Sequence, residues 1–192
     1  MATAIEIFKR LSEHQIRGVM FHHEMMRAFD FLGMRGMKRL HEFRMFEEMT
    51  ENDALNRYAI NHLNHIVIDG KVESAFTIPQ GWEGVSRLDV TNDNRKKYWR
   101  EMVMAWVKWE EGTKKAYEAA YKELCDIDEI AAAGKVRGMV EGVDMELKKA
   151  ERMKIKFDMF NWDCAVYVST CDDELHEEYR IKLKEDLHVN IC

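Results

Sequence analysis

Carboxylates recur in this chain at positions where a helix would bury them, and the clearest is Glu110. Trp99, Val103, Trp106, Glu110, Thr113, Tyr117, Ala120 and Leu124 follow one another at three- and four-residue steps, which places them on one helical face. A carboxylate on an inward face loses its hydration, so it must be protonated, hydrogen-bonded or bound to a cation. Hydrogen bonding would use Tyr117, Tyr58 or a buried arginine such as Arg44. Cation binding needs further ligands, and candidates lie on three other segments. One is Glu24, beside His22 and His23; His22 faces the apolar side better. Glu48 and Glu51 share a stripe with His41, Arg44, Leu55, Tyr58, His62 and His65, and His41 is nearest in depth to Glu24. The last segment offers Asp144 or Glu146. Carboxylates with an imidazole suit hard divalent ions, and at iron such a set supports dioxygen or peroxide chemistry. His62-x-x-His65 also has metal-compatible spacing, but near the start of a loop a surface pair is the plainer reading.

The elements that would position these groups are helices. Pro79 is the only proline in 192 residues, and helix formers outnumber breakers. The length suits a single domain over residues 1–192, all-α, with a helical bundle at 4–160 and a C-terminal extension at 161–192. A first helix is expected from Ala4 to Leu32, ending near Gly33-Met34-Arg35-Gly36, with a second returning antiparallel from about Met37 to Ile66. Between Asp69 and Asn94 the periodicity stops and Asp69-Gly70, Pro79, Gly81 and Gly84 collect. A connection this long either carries function or runs from one end of the bundle to the other. A third helix should run from after Asn94 to about Leu124, and a fourth from about Asp128 to Phe160. On the fourth, Gly134, Gly138 and Gly142 sit four apart on a face away from the apolar stripe, marking a close helix approach or a hinge. Thr170 or Asp172 is placed to cap a short fifth helix, expected to face solvent or an oligomer contact. The fourteen methionines, with Trp99, Trp106 and Trp109, read as core filling.

Composition narrows the function classes. A net charge of −6 and a pI near 5.8 give no basic footprint for direct nucleic-acid binding. Cys125, Cys164, Cys171 and Cys192 form no CxxC pair and no zinc-type spacing, which fits reduced thiols in the cytoplasm. The start, MATAIEIFKRLSEHQ, lacks the apolar run of a signal peptide, and no stretch has the length of a membrane span.

Two helical hairpins joined by a long crossover, with carboxylates at mid-helix, resemble the ferritin-like superfamily over roughly residues 4 to 160. The most local likeness is Glu47-Glu48-Met49-Thr50-Glu51, similar to the Glu-Glu-Met-Thr-His stretch of bacterial ferritins. The resemblance puts Glu48 at the bridging glutamate, Glu51 where the family carries the histidine of its Glu-x-x-His motif, and Glu110 at the buried glutamate of the third helix. No Glu-x-x-His occurs in either helix where the family has one, and on the second helix His41 is the candidate nitrogen ligand from a neighbouring turn. What the resemblance implies is a homo-oligomer with iron or manganese held by Glu24 or His22, His41, Glu48, Glu51, Glu110 and Asp144, in an oxidase or storage role.

A second expectation comes from a different class. A helical bundle of phage or mobile-element type can act without catalysis, binding and modulating a protein partner through its Met- and Trp-rich surface or its crossover. Side-chain oxygens converging on one point in the bundle would favour metal, and an arginine or tyrosine filling that point would favour a core built for structure. A contiguous exposed apolar patch would favour a partner.

Overall fold

The computed structural model describes residues 2–67, 72–77, 81–82 and 85–188, and among them it contains helices and no strand. Asp69, Gly70, Pro79, Gly84 and Cys192 lie outside the described residues.

Helix α1 spans Ala4–Leu32 and opens with a capping box, in which Thr3 Oγ1 accepts from the Glu6 amide and Glu6 Oε2 accepts from the Thr3 amide at 2.7 Å. It stops at Gly33, whose left-handed backbone (φ 76°) is one that glycine adopts without strain. Helix α2 spans Arg35–Leu63, and its N-cap residue, Met34, supplies no side-chain cap. The two helices run antiparallel, with Ser12 Oγ donating to Asn52 Oδ1 (2.7 Å) at one depth and His22 meeting His41 at another. Helices α3 (Asn92–Asp126) and α4 (Ile130–Met159) form the second antiparallel hairpin, tied by Lys114 to Asp144 (2.6 Å) and by Trp99 against Phe157. Arg10 pairs with Glu123, and Phe21 stacks on Trp109, so α3 is antiparallel to α1. It follows that α2 and α3 are parallel, and that the connection between them joins opposite ends of the bundle.

Two apolar clusters fill the interior. One gathers Phe21, Met25, Phe29, Met37, Trp99, Trp106 and Phe157; the other gathers Ile7, Phe8, Leu55, Tyr117, Leu124 and Val136. Where they meet, buried positions are polar: Gln15, His22, His41, Arg44, Glu48, Asn52, Glu110 and Thr113.

After α4, left-handed backbone at Asn161 (φ 52°) and Trp162 (φ 57°) turns the chain back. A single turn, α5 (Cys164–Tyr167), and a π-helical segment, Val168–Asp172, lead into α6 (Asp173–Glu185). The expectation that the last helix faces solvent or an oligomer contact is corrected here, because Tyr179 and Leu183 are buried on its own bundle. Tyr179 packs on Phe43 of α2 while the Lys149 ammonium of α4 lies 4.4 Å from its ring, so α6 wedges between α2 and α4. Asp172 supplies the cap that α2 lacks: its carboxylate accepts from the Gly36 amide (2.7 Å) and the Arg35 amide (3.2 Å). Gly36 is required there, since a Cβ would come within 2.6 Å of the Asp172 carbonyl oxygen.

The glycine stripe behaves differently from the expected close approach within the bundle. A Cβ built at Gly134, Gly138 or Gly142 meets nothing within 4 Å. Among the described residues no helix is long and apolar enough to cross a membrane, and Cys125, Cys164 and Cys171 are free thiols.

Candidate functional site: a buried layer of carboxylates around Arg44

Four helices contribute to the polar layer. From α3, Glu110 is fully buried (0 % exposed), and its Oε1 accepts from the Trp106 indole N–H at 2.9 Å, one turn earlier on the same face. Burial pushes its carboxyl up to about 7, against the opposing pull of Arg44 and Trp106. From α2, Arg44 extends into the layer with its guanidinium beside four carboxylates: Glu47 at 2.6 Å, Glu48 at 3.4 Å, Glu146 at 3.7 Å and Glu110 at 3.8 Å. Burial disfavours its charge, but Glu110, Glu146, Glu47 and Glu48 outweigh that and hold it protonated far above the ordinary range. Glu48, one turn on, is pushed well up by burial, and so, less strongly, is Glu51, which Gln15 reaches at 3.5 Å. Gly18 of α1 makes room for Glu48, whose Cδ lies 3.0 Å from where a Cβ would stand.

On the other side of Glu110, His22 of α1 and His41 of α2 meet through their Nδ1 atoms at 3.0 Å, so one ring donates while the other accepts. Burial drives both toward the neutral form, His22 well down and His41 to about 3. His22 Nε2 stands 3.8 Å from Glu110 Oε1. A cleft of about 70 Å3 between α2, α3 and α4, lined by Glu47, Glu48, Glu51, Tyr117, Gly142 and Glu146, reaches this layer.

Of the ligands named from the sequence, His41, Glu48, Glu51 and Glu110 come together in this layer. Glu24 and Asp144 do not. The Glu24 side chain is 38 % exposed and pairs with Arg27 and His23, because it lies two residues, or about 200° of helix, from the inward His22. Asp144 bridges Lys114 and Lys148 on the outside of the α3–α4 hairpin, and those hydrogen bonds hold its carboxyl down to about 2. The carboxylate that α4 turns toward Arg44 is Glu146. Three contributors went unread as site residues, Trp106 as donor to Glu110, Gln15 as donor to Glu51 and Glu47 as acceptor from Arg44; Trp106 was legible as the residue one turn before Glu110 on the apolar stripe.

Whether these residues suit a metal can be judged from their atoms. Glu48 Oε2, Glu110 Oε2, Glu146 Oε2 and His22 Nε2 are buried without a hydrogen-bond partner among the described residues, as ligands awaiting an ion would be. Against that, no three His, Cys, Asp or Glu side chains among the described residues group as a metal would need. The guanidinium also stands among the carboxylates, where it would repel a divalent ion. As arranged, the layer does not fit the two-metal centre of the resemblance. No protein-family model and no curated protein matches this chain.

Proposed function

We propose that this chain is a ferritin-like bundle in which an internal guanidinium takes the place of the family's metal centre. It acts as a non-catalytic interaction protein of the phage or mobile-element type, binding and modulating a protein partner. The observation that carries the replacement of metal by a guanidinium is Arg44, whose single fixed charge serves Glu47, Glu48, Glu110 and Glu146 at once; the partner reading follows from the absence of a metal-ready layer among the described residues. A buried carboxylate group needs a counter-charge to remain folded, and here the chain supplies it covalently. Parallel α2 and α3, joined by a connection between opposite ends, support the ferritin-like arrangement. Exposed Met145, Ile155 and Met159 on α4 support a surface made for association.

The competing reading is an iron or manganese protein with an oxidase or storage role. It is favoured by the ligand atoms of His22, His41, Glu48, Glu110 and Glu146 that lie buried around the layer without a hydrogen bond, and it requires Arg44 to move aside. Elemental analysis decides between the two after expression in medium supplemented with iron and manganese. A folded protein without stoichiometric metal is the expected result; near-stoichiometric metal that disappears in Glu110→Ala would overturn the interaction reading.

A further inference from the structure

The cleft between α2, α3 and α4 opens the polar layer to the outside, and its polar lining is made mostly of acceptors. These are the carboxylates of Glu47, Glu48, Glu51 and Glu146 and the hydroxyl of Tyr117. Tyr117 is 2 % exposed, and its Oη is buried without a hydrogen-bond partner among the described residues, as is Glu146 Oε2. A buried hydroxyl left without a partner is costly unless something entering the cleft meets it. Burial, with Glu48 and Glu51 beside it, keeps that hydroxyl protonated, so it is a neutral oxygen able to accept from a cation and to donate to a carboxylate.

Positive charge here falls short of the negative. Arg44 faces Glu47, Glu48, Glu110 and Glu146 with one charge, and its pull on Glu48 and Glu51 does not offset what burial does to them, so both carboxyls stay pushed up. Lysines of α3 and α4 are engaged elsewhere: Lys114 and Lys148 bond Asp144, and the Lys149 ammonium lies 4.4 Å from the centre of the Tyr179 ring. The size of the cleft, about 70 Å3, is roughly two water volumes. That admits an ammonium and the first methylene behind it, and it is too little for a guanidinium or an aromatic ring. A divalent metal needs its oxygens at about 2.0–2.6 Å and meets the repulsion of Arg44. An ammonium carries half that charge, offers three donors and takes N–H···O contacts of about 2.8 Å. At the mouth, a Cβ on Gly142 would meet nothing within 4 Å, so a methylene stem has a way out past α4.

We propose that this cleft binds a primary alkylammonium, with the Tyr117 hydroxyl and the carboxylates of Glu48, Glu51 and Glu146 as its acceptors. Two sources carry that group, a lysine side chain of a protein partner and a free alkylamine. The inference rests on the reading of the layer as centred on a guanidinium, since a metal ion there would take the same carboxylates.

The test is calorimetric titration of the full chain, its metal content measured first, with n-butylamine in an amine-free buffer. Saturable binding with a Kd of about 1 mM or tighter is expected. Tetramethylammonium has the charge and no N–H, so it should not bind. Gly142→Leu has room for its side chain within the chain and should fold with an equal or higher melting temperature, while closing the mouth and weakening butylamine about tenfold or more. Tyr117→Phe removes a partnerless hydroxyl alone, so it should keep its melting temperature and weaken butylamine roughly fivefold. N-acetyl-lysine methylamide separates the sources: binding tighter than butylamine assigns the site to a partner's lysine, and equal or weaker binding assigns it to a free amine. Metal-free wild type that shows no saturable binding overturns the proposal and leaves the guanidinium reading standing. So does equal binding of tetramethylammonium, or a folded Gly142→Leu or Tyr117→Phe that binds butylamine as tightly as wild type. Near-stoichiometric metal would overturn the guanidinium reading first and this proposal with it.

Discussion

Replacing Glu110 by glutamine should remove a loss of stability with rising pH that originates at the centre of the bundle. Glutamine keeps a carbonyl oxygen to accept from the Trp106 indole, so the substitution removes the titration with little change of shape. In the folded chain the Glu110 carboxyl is raised from 4.5 to about 7 by burial. Between those values the folded state holds a proton that the unfolded state has released, so this group's contribution to stability falls as pH rises. Worked through the two pKa values, the loss between pH 5 and pH 8 is about 2.5 kcal/mol. Glu110→Gln lacks that loss, so its stability relative to wild type should rise by about 2.5 kcal/mol from pH 5 to pH 8. The His22 and His41 titrations are common to both proteins and largely cancel in the difference. Urea unfolding followed by tryptophan fluorescence at several pH values between those limits reads it directly. A difference that stays flat, or that falls with pH, would refute the buried, proton-holding carboxyl derived from this geometry.

Three further substitutions probe the elements that hold the layer in place. Arg44→Met strands Glu48 and Glu110 without their counter-charge and should cost about 3–5 kcal/mol at pH 8, with a smaller loss at pH 5 where Glu110 carries its proton; urea midpoints at the two pH values check it. Asp172→Ala removes the carboxylate that caps α2 from the C-terminal segment and should lower stability by about 1–2 kcal/mol, measured by the same denaturation. Gly36→Ala drives a Cβ against the Asp172 backbone, so α6 should loosen from α2, seen as faster amide hydrogen exchange over Asp173–Glu185 while α1 stays protected.

Much of the layer was legible in advance because helical periodicity is a local property. The stripe from Trp99 to Leu124 located Glu110 on a buried face, and the stripe through His41, Arg44 and Glu48 located its partners, since a residue's angle on a helix depends only on its count along the chain. The same arithmetic ranked His22 above Glu24 as the inward residue of its turn, while on α4 it left Asp144 and Glu146 open. Whether the last turn of contact goes to a lysine on the outside or an arginine on the inside depends on what the neighbouring helix presents, and spacing does not encode that.

By itself, then, the sequence determined the helices, the turn at Gly33, the long connection and the fact that carboxylates enter the core. Each of those follows from side-chain type and near-neighbour geometry. Tertiary structure alone decided that Arg44 settles among Glu47, Glu48, Glu110 and Glu146, and that Asp172 caps a helix 136 residues earlier in the chain. It also decided that α6 wedges beside α2 and that the glycines of α4 face open space. The reason is physical: a buried charge selects its partner by distance in space, among groups that four packed helices bring to one depth from remote parts of the chain.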